Sequence, residues 1–192
     1  MLSETSVLTG PVRLSYAFVW APKPAKDGDK SKYSASLIIS KDDEKTIRAI
    51  KETIKRAMKS PKVIEKVGAA NIHSKRLRIP LRDGDTDRDD DAAYANSYFV
   101  NAGSYTPPKI FDRHGNEIID KSEVYSGCYV RAIIDFYGYN IKGNVGIAAG
   151  LIALQKWKDG EALGGVSVSA SDFDDGFSDG SADDTAADDD LF

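Results

Sequence analysis

The sequence is poor in the side chains from which metal and redox sites are built. One cysteine, Cys128, and two histidines, His73 and His114, stand among 192 residues. A lone cysteine cannot close an internal disulfide and suits a reducing compartment. With so few Cys and His, a structural zinc site of the usual kind cannot be assembled. No apolar run approaches the ~18 residues that a membrane helix needs. "MLSETSVLTG" has neither the basic start nor the apolar stretch of a signal peptide. Missing too are a Gly-rich phosphate loop of Walker type and any Ser/His/Asp or Cys/His arrangement. These absences predict a soluble intracellular protein that is not an enzyme, with no membrane partner, no metal and no cofactor.

What is abundant is charge, and it is unevenly divided. The chain holds 26 Lys and Arg against 30 Asp and Glu, a net −4. Nine of the Asp lie in "SDFDDGFSDGSADDTAADDDLF", residues 171–192, which has no Lys or Arg. The rest therefore sets 26 basic against 21 acidic residues, or +5, and residues 1–82 alone set 18 against 8, or +10. A basic body with an acidic appendage points to a polyanionic partner, with the appendage as competitor or docking arm. So little hydrophobic content cannot offset chain entropy, which predicts a disordered tail from about Ser171. Its last residues, Asp188, Asp189, Asp190, Leu191 and Phe192, form an apolar hook flanked by acid.

Before the tail, hydrophobic periodicity assigns the elements. "VRLSYAFVW" (12–20) alternates Val12, Leu14, Tyr16, Phe18 and Trp20 on one face, as a half-buried strand does. A basic Pro/Gly loop follows, then the strand "KYSASLIIS" (32–40), with Tyr33, Ala35, Leu37 and Ile39 inward. In "DDEKTIRAIKETIKRAMKS" the period changes: Ile47, Ile50, Ile54, Ala57 and Met58 make a helical stripe, acids lead it, and Pro61 stops it. Residues 61–95 show no clear period. "SYFVNAGS" (97–104) reads as a strand, "KIFDRHGNEII" as a hairpin, and 127–140 and 145–157 as long strands joined by "NIKGN". The order β-β-α-β-β-β predicts a mainly β protein: a small antiparallel five-stranded barrel, one main α-helix and the acidic tail. Residues 1–170 are then the domain and 171–192 the tail.

The strand "GCYVRAIIDFYGYN" turns Cys128, Val130, Ala132, Ile134 and Phe136 to the core. Its other face carries Tyr129, Arg131, Ile133, Asp135, Tyr137 and Tyr139. Tyrosines beside arginine suit single-stranded nucleic acid, whose bases stack on rings while cations follow the phosphates. The alternative is that these rings pack under a helix or loop with their hydroxyls in water. Strand alternation and charge nominate Trp20, Lys23, Lys32, Arg76, Arg78, Arg82, Tyr105, Tyr129, Arg131, Tyr137, Tyr139 and Lys142 as the DNA-binding set.

"LSYAFVWAP", "KYSASLIISKDD", "IPLRDGD", "AYANSYFVNAGS", "VYSGCYVRAIIDFYGYN", "GNVGIAAGL" and "GEALGG" occur in an order that resembles a family of tailed-phage single-stranded-DNA-binding proteins. The resemblance covers roughly residues 11–165. It implies an oligonucleotide-binding (OB) fold, sequence-independent binding of single-stranded DNA, and a role in phage replication or recombination in the cytoplasm of the bacterial host. The acidic tail ending in an aromatic is similar to those with which such proteins recruit replication or recombination partners. Weaker duplex binding, and a homodimer or cooperative assembly on DNA, stay open. "RDGDTDRDDD" gives Asp83, Asp85 and Asp87 the 1-3-5 spacing of an EF-hand loop, but Arg88 and Tyr94 stand where Gly and Glu are required. The competing function is a Mg²⁺-dependent nuclease using Asp83, Asp85 and Asp89.

Overall fold

The computed structural model describes residues 2–25 and 30–164; the acidic tail, with the disorder expected of it, lies outside the described residues. A short strand β1 (Ser6–Leu8) precedes β2 (Val12–Lys23) and β3 (Lys32–Ser40). Helices α1 (Glu44–Lys59), α2 (Pro61–Val67) and α3 (Ala69–Ile72) follow. Then come β4 (Leu81–Asp83), the helical turn α4 (Gly84–Asp87), β5 (Ser97–Ser104), β6 (Lys109–Phe111), β7 (Tyr129–Ile141) and β8 (Asn144–Lys158).

Strands β2, β3, β5, β8 and β7 close on themselves as the expected five-stranded barrel. Four joints are antiparallel, and the β5–β8 joint is parallel. The inward residues alternate as the strand period requires: Leu14, Leu37, Val100, Ile134 and Leu151 are each at most 3% exposed. Burying each such side chain contributes about 1.5–3 kcal/mol. Strands β1 and β6 are annexes, pairing with the outer edges of β7 and β8.

Helix α1 forms as its sequence dictates. Asp43 caps it, accepting from Thr46 N at 3.1 Å, and Ile47, Ile50, Ile54 and Ala57 pack into the barrel core. Pro61 does end α1, because the residue before a proline is driven out of helical geometry, and Ser60 is extended (ψ 130°). The chain then re-enters a helix with Pro61 at its first position, where the missing N–H costs nothing. So the expected stop is a corner, and α2 continues beyond it to lie against β7 at Gly138, where an added Cβ would sit 2.8 Å from Val67 Cγ2.

Residues 84–95, without a clear period in the sequence, cover part of the barrel's outside. Tyr94 meets Phe99 edge-on, with centroids 5.1 Å apart and planes at 85°, and both bury Ile38 on the outer face of β3.

Candidate nucleic-acid interface

The parallel joint of the barrel is short: Ala102 pairs with Ala149 and Gly103 with Gly150. Residues 78–83 run beside it. Arg78 N donates to Val145 O at 3.2 Å, and Ile147 N donates to Arg78 O at 2.9 Å. Strand β4 then pairs Leu81–Asp83 with Val100–Tyr98. Backbone pairing thus fixes Arg78 and Arg82 against the joint. With Asn101, Tyr139 and Ala148 they line a depression of about 470 Å³.

Tyr139 reaches this depression, and Tyr137 follows one alternation back on β7, because β8 is small there. Gly146, Ala148 and Gly150 alternate on its outer face, with Tyr139 opposite Gly146 and Tyr137 opposite Ala148. A Cβ on Gly146 would lie 2.8 Å from Tyr139 Cε1 and from Arg78 O; one on Gly150 would lie 3.6 Å from Tyr137 Cε1. The glycines let the rings lean over the sheet toward β5. Tyr137 remains 45% exposed. From Gly150 the surface continues across Gly103 and Ser34 to Phe18.

At that far side Lys23 and Lys32 pair in register. The Lys32 ammonium stands 4.6 Å from the ring centre of Tyr105, which is 62% exposed, and Lys23 stands 5.5 Å from Phe18. Sequence reasoning missed the next members. A bulge in β2 gives Tyr16 a left-handed backbone (φ 47°), and the ring expected inward is 50% exposed. The Arg88 guanidinium lies 5.4 Å from it and 5.9 Å from Phe99, while Arg82 lies 5.1 Å from Phe99. No residue type in "LSYAFVW" signals the bulge, because Tyr16 keeps the alternation that a regular strand would have.

The remaining nominated residues sit elsewhere. Trp20 is half-buried against the core, its Nε1 donating to Val124 O at 2.9 Å. Tyr129 lies at the other end of β7, under the Lys158 ammonium at 4.6 Å. Arg131 Nε donates to Thr9 O at 3.3 Å, beside Leu8 and Phe111. Lys142 occupies the β7–β8 turn with φ 50°, and Arg76 is exposed in the approach to β4. The docking residues Asp188, Asp189, Asp190, Leu191 and Phe192 lie outside the described residues.

The acidic cluster holds the 81–96 segment in place. Lys41 Nζ is 2.9 Å from Asp83 and 2.6 Å from Asp85, and Asp85 also accepts from Asn96 N at 2.8 Å. The hydrogen bond from Lys41 holds the Asp85 carboxyl below its ordinary value, and those carboxylates push the Lys41 ammonium above its own. Arg82 pairs with Asp87 at 3.0 Å. Lys41, far off in sequence, rather than the neighbouring Arg82 or Arg88, takes both Asp83 and Asp85. Among the described residues no three Asp, Glu, His or Cys side chains gather as metal ligands would, and nothing favours the nuclease reading.

Comparison with known proteins agrees with this architecture. The family profile described as "Enterobacter phage Enc34, ssDNA-binding protein" matches residues 5–191. Putative protein p50 of Acyrthosiphon pisum secondary endosymbiont phage 1 is 34% identical over 169 residues, 85% of this chain and 90% of that protein. The single-stranded DNA-binding protein of bacteriophage Enc34 in complex with ssDNA matches with TM-score 0.72 and 28% identity, covering 84% of this chain and 91% of that one. Gp2.5, a single-stranded DNA-binding protein of bacteriophage T7, shares the fold, with TM-score 0.59 and 13% identity over 91% of this chain and 96% of its own. The chain belongs to the Enc34 phage ssDNA-binding protein family and is homologous to phage ssDNA-binding proteins.

Proposed function

We propose, from that membership, that this chain binds single-stranded DNA without sequence preference on the outer face of β3, β5 and β8. It does so without catalysis, in the cytoplasm of the infected host, during phage DNA replication or recombination. One observation carries the reading: the Tyr137 and Tyr139 rings lean over a glycine-rich strand, and Arg78 and Arg82 stand beside Tyr139. Exposed rings accept bases of any identity, each stack contributing ~1–3 kcal/mol, and the guanidiniums follow the phosphates. Lys23, Lys32 and Tyr105 extend the track at one side, and Arg88 over Tyr16 at another. Arg76 and Lys142 add charge at its margin, whereas Trp20 serves the body.

The acidic tail competes for this face and carries Leu191 and Phe192 to replication or recombination partners. A polyanion tethered to a basic surface has an effective concentration on the order of mM. DNA, with denser charge, displaces it.

Fluorescence anisotropy with labelled single strands of several sequences, and with duplex, tests the proposal with and without Mg²⁺. Single strands of every sequence should bind alike, more tightly than duplex, and be recovered intact. Preference for one sequence, or shortened products in Mg²⁺, would overturn it. Removing residues 172–192 should tighten binding at low salt; equal affinity would remove the shielding role while leaving the binding face standing.

A further inference from the structure

An apolar groove lies between α1, α2 and α3, away from the tyrosine face. Met58, Ile64, Ala69 and Ile72 form its walls, Lys55 and Lys59 its rim, and it holds about 500 Å³. That is within the ~300–1,000 Å³ of pockets that take small ligands. Ile72 is buried, but Met58 and Ile64 are only half-covered, so α1 and α2 leave apolar surface unpartnered. Among the described residues neither rim lysine has a carboxylate within 4.0 Å. The groove therefore calls for an occupant that is apolar at its tip and acidic beside it.

The same chain supplies one. Asp188, Asp189 and Asp190 set three negative charges directly before two large apolar side chains, Leu191 and Phe192. Twenty-eight residues separate Gly164, the last described, from the terminus at 192. Such a length spans up to roughly 90 Å, more than the ~40 Å width expected of a domain this size. The geometry points to this groove as the seat of the chain's own C-terminal segment. Leu191 and Phe192 enter between Met58, Ile64 and Ile72, and Lys55 and Lys59 meet the aspartates. Tethering favours the intramolecular contact over a second copy at low protein concentration. The hook is thereby stored on the helical side of the barrel until a partner with a better pocket removes it, while the tail's earlier aspartates, Asp172 to Asp184, compete for the tyrosine face. This seat does not depend on the DNA-binding reading, and its test contains no DNA.

A nitroxide attached after Ala187→Cys reports the position of the tail in the full-length chain. Cys128 is buried, with its thiol pKa pushed up by burial, so it does not compete for the label. Methyl NMR in dilute solution should show the Met58, Ile64 and Ile72 signals broadened. Combining Leu191→Ala with Phe192→Ala, which leaves every charge in place, should restore them. Lys55→Ala with Lys59→Ala, both exposed, should restore them in part. Broadening confined to the Tyr137–Tyr139 side of the barrel would overturn the assignment. So would groove broadening that survives loss of the Leu191 and Phe192 side chains, or broadening seen only when labelled and isotope-enriched chains are mixed.

Discussion

The two ends of β7 carry the same chemistry and meet different surroundings. Tyr139 lies over Gly146 beside Arg78 and Arg82, and Tyr137 over Gly150. Eight residues back, Tyr129 is roughly 26 Å away at the strand rise of ~3.3 Å. There its ring packs at Gly160, where an added Cβ would sit 3.0 Å from Tyr129 Cε2 and 2.3 Å from Gly127 O, and Lys158 covers it. Arg131, one alternation on, is tied to Thr9 O, and Asp135 between the ends accepts from Ser3, Thr5 and Ser6. The N-terminal segment thus occupies the middle of the face. A row of like residues on one strand becomes a binding surface only where its neighbours are small and its partners are free.

The sharpest break of this comparison is between adjacent residues on opposite sides of β7. Phe136 is 1% exposed and Tyr137 45%. Phe136→Ala should cost about 3–5 kcal/mol of stability, the usual toll of a large core truncation, read as a fall in the denaturation midpoint. Tyr137→Ala or Tyr139→Ala should leave the midpoint nearly unchanged and weaken single-strand binding by about 1–3 kcal/mol per lost stack. Tyr129→Ala should do neither to that extent. If Tyr129→Ala weakens binding as much as Tyr139→Ala, the DNA track runs the full length of β7 and the two ends are equivalent.

A smaller effect separates phosphate contacts from stacking. Arg78→Ala and Arg82→Ala should weaken all sequences alike and flatten the dependence of log K on log salt, by ~0.7 for each phosphate contact removed on single strands. Arg131→Ala should leave that slope alone, since its guanidinium is engaged with Thr9 O. An equal change in slope from Arg131 would place phosphates at both ends.

Alternation made the β7 core face readable: Cys128, Val130, Ala132, Ile134 and Phe136 are all buried. The helix stripe was equally plain, because a 3.6-residue period with an acidic cap has few other meanings. What the outer face touches was not readable, since it depends on segments distant in sequence. Gly146 accommodates a ring seven residues earlier, residues 78–83 enter beside the β5–β8 joint, and Lys41 gathers carboxylates more than forty residues later. The bulge at Tyr16 hid for a different reason. A strand that changes phase by one residue moves every later side chain to the other face, and an aromatic is at home on either.

The smallest effect concerns how the basic side of the interface is held. Lys41 anchors Asp83 and Asp85, and through Asp85 and Asn96 it fixes the segment that carries Arg82 and Arg88. All three charges are partly exposed, so solvent screens the pairing and its contribution is modest. Its pH dependence has a definite sign. The Asp85 carboxyl is held below its ordinary 3.8, so its stabilisation is present above 3.8 and lost as pH falls through the depressed value. The Lys41 ammonium is raised above 10.5, so its share is present below 10.5 and lost only as pH climbs past the raised value. Between these limits the pairing is constant. Lys41→Met should therefore lower the melting temperature by the same small amount at pH 7 and pH 5, and by less as the pH drops below 3.8. It should also weaken DNA binding slightly at pH 7, less than Arg82→Ala does, because the segment loosens while its guanidiniums remain. A melting difference that is unchanged at low pH would mean that Lys41 acts through its ammonium over the Tyr98 ring, 5.1 Å from the ring centre, and that the carboxylates are bystanders.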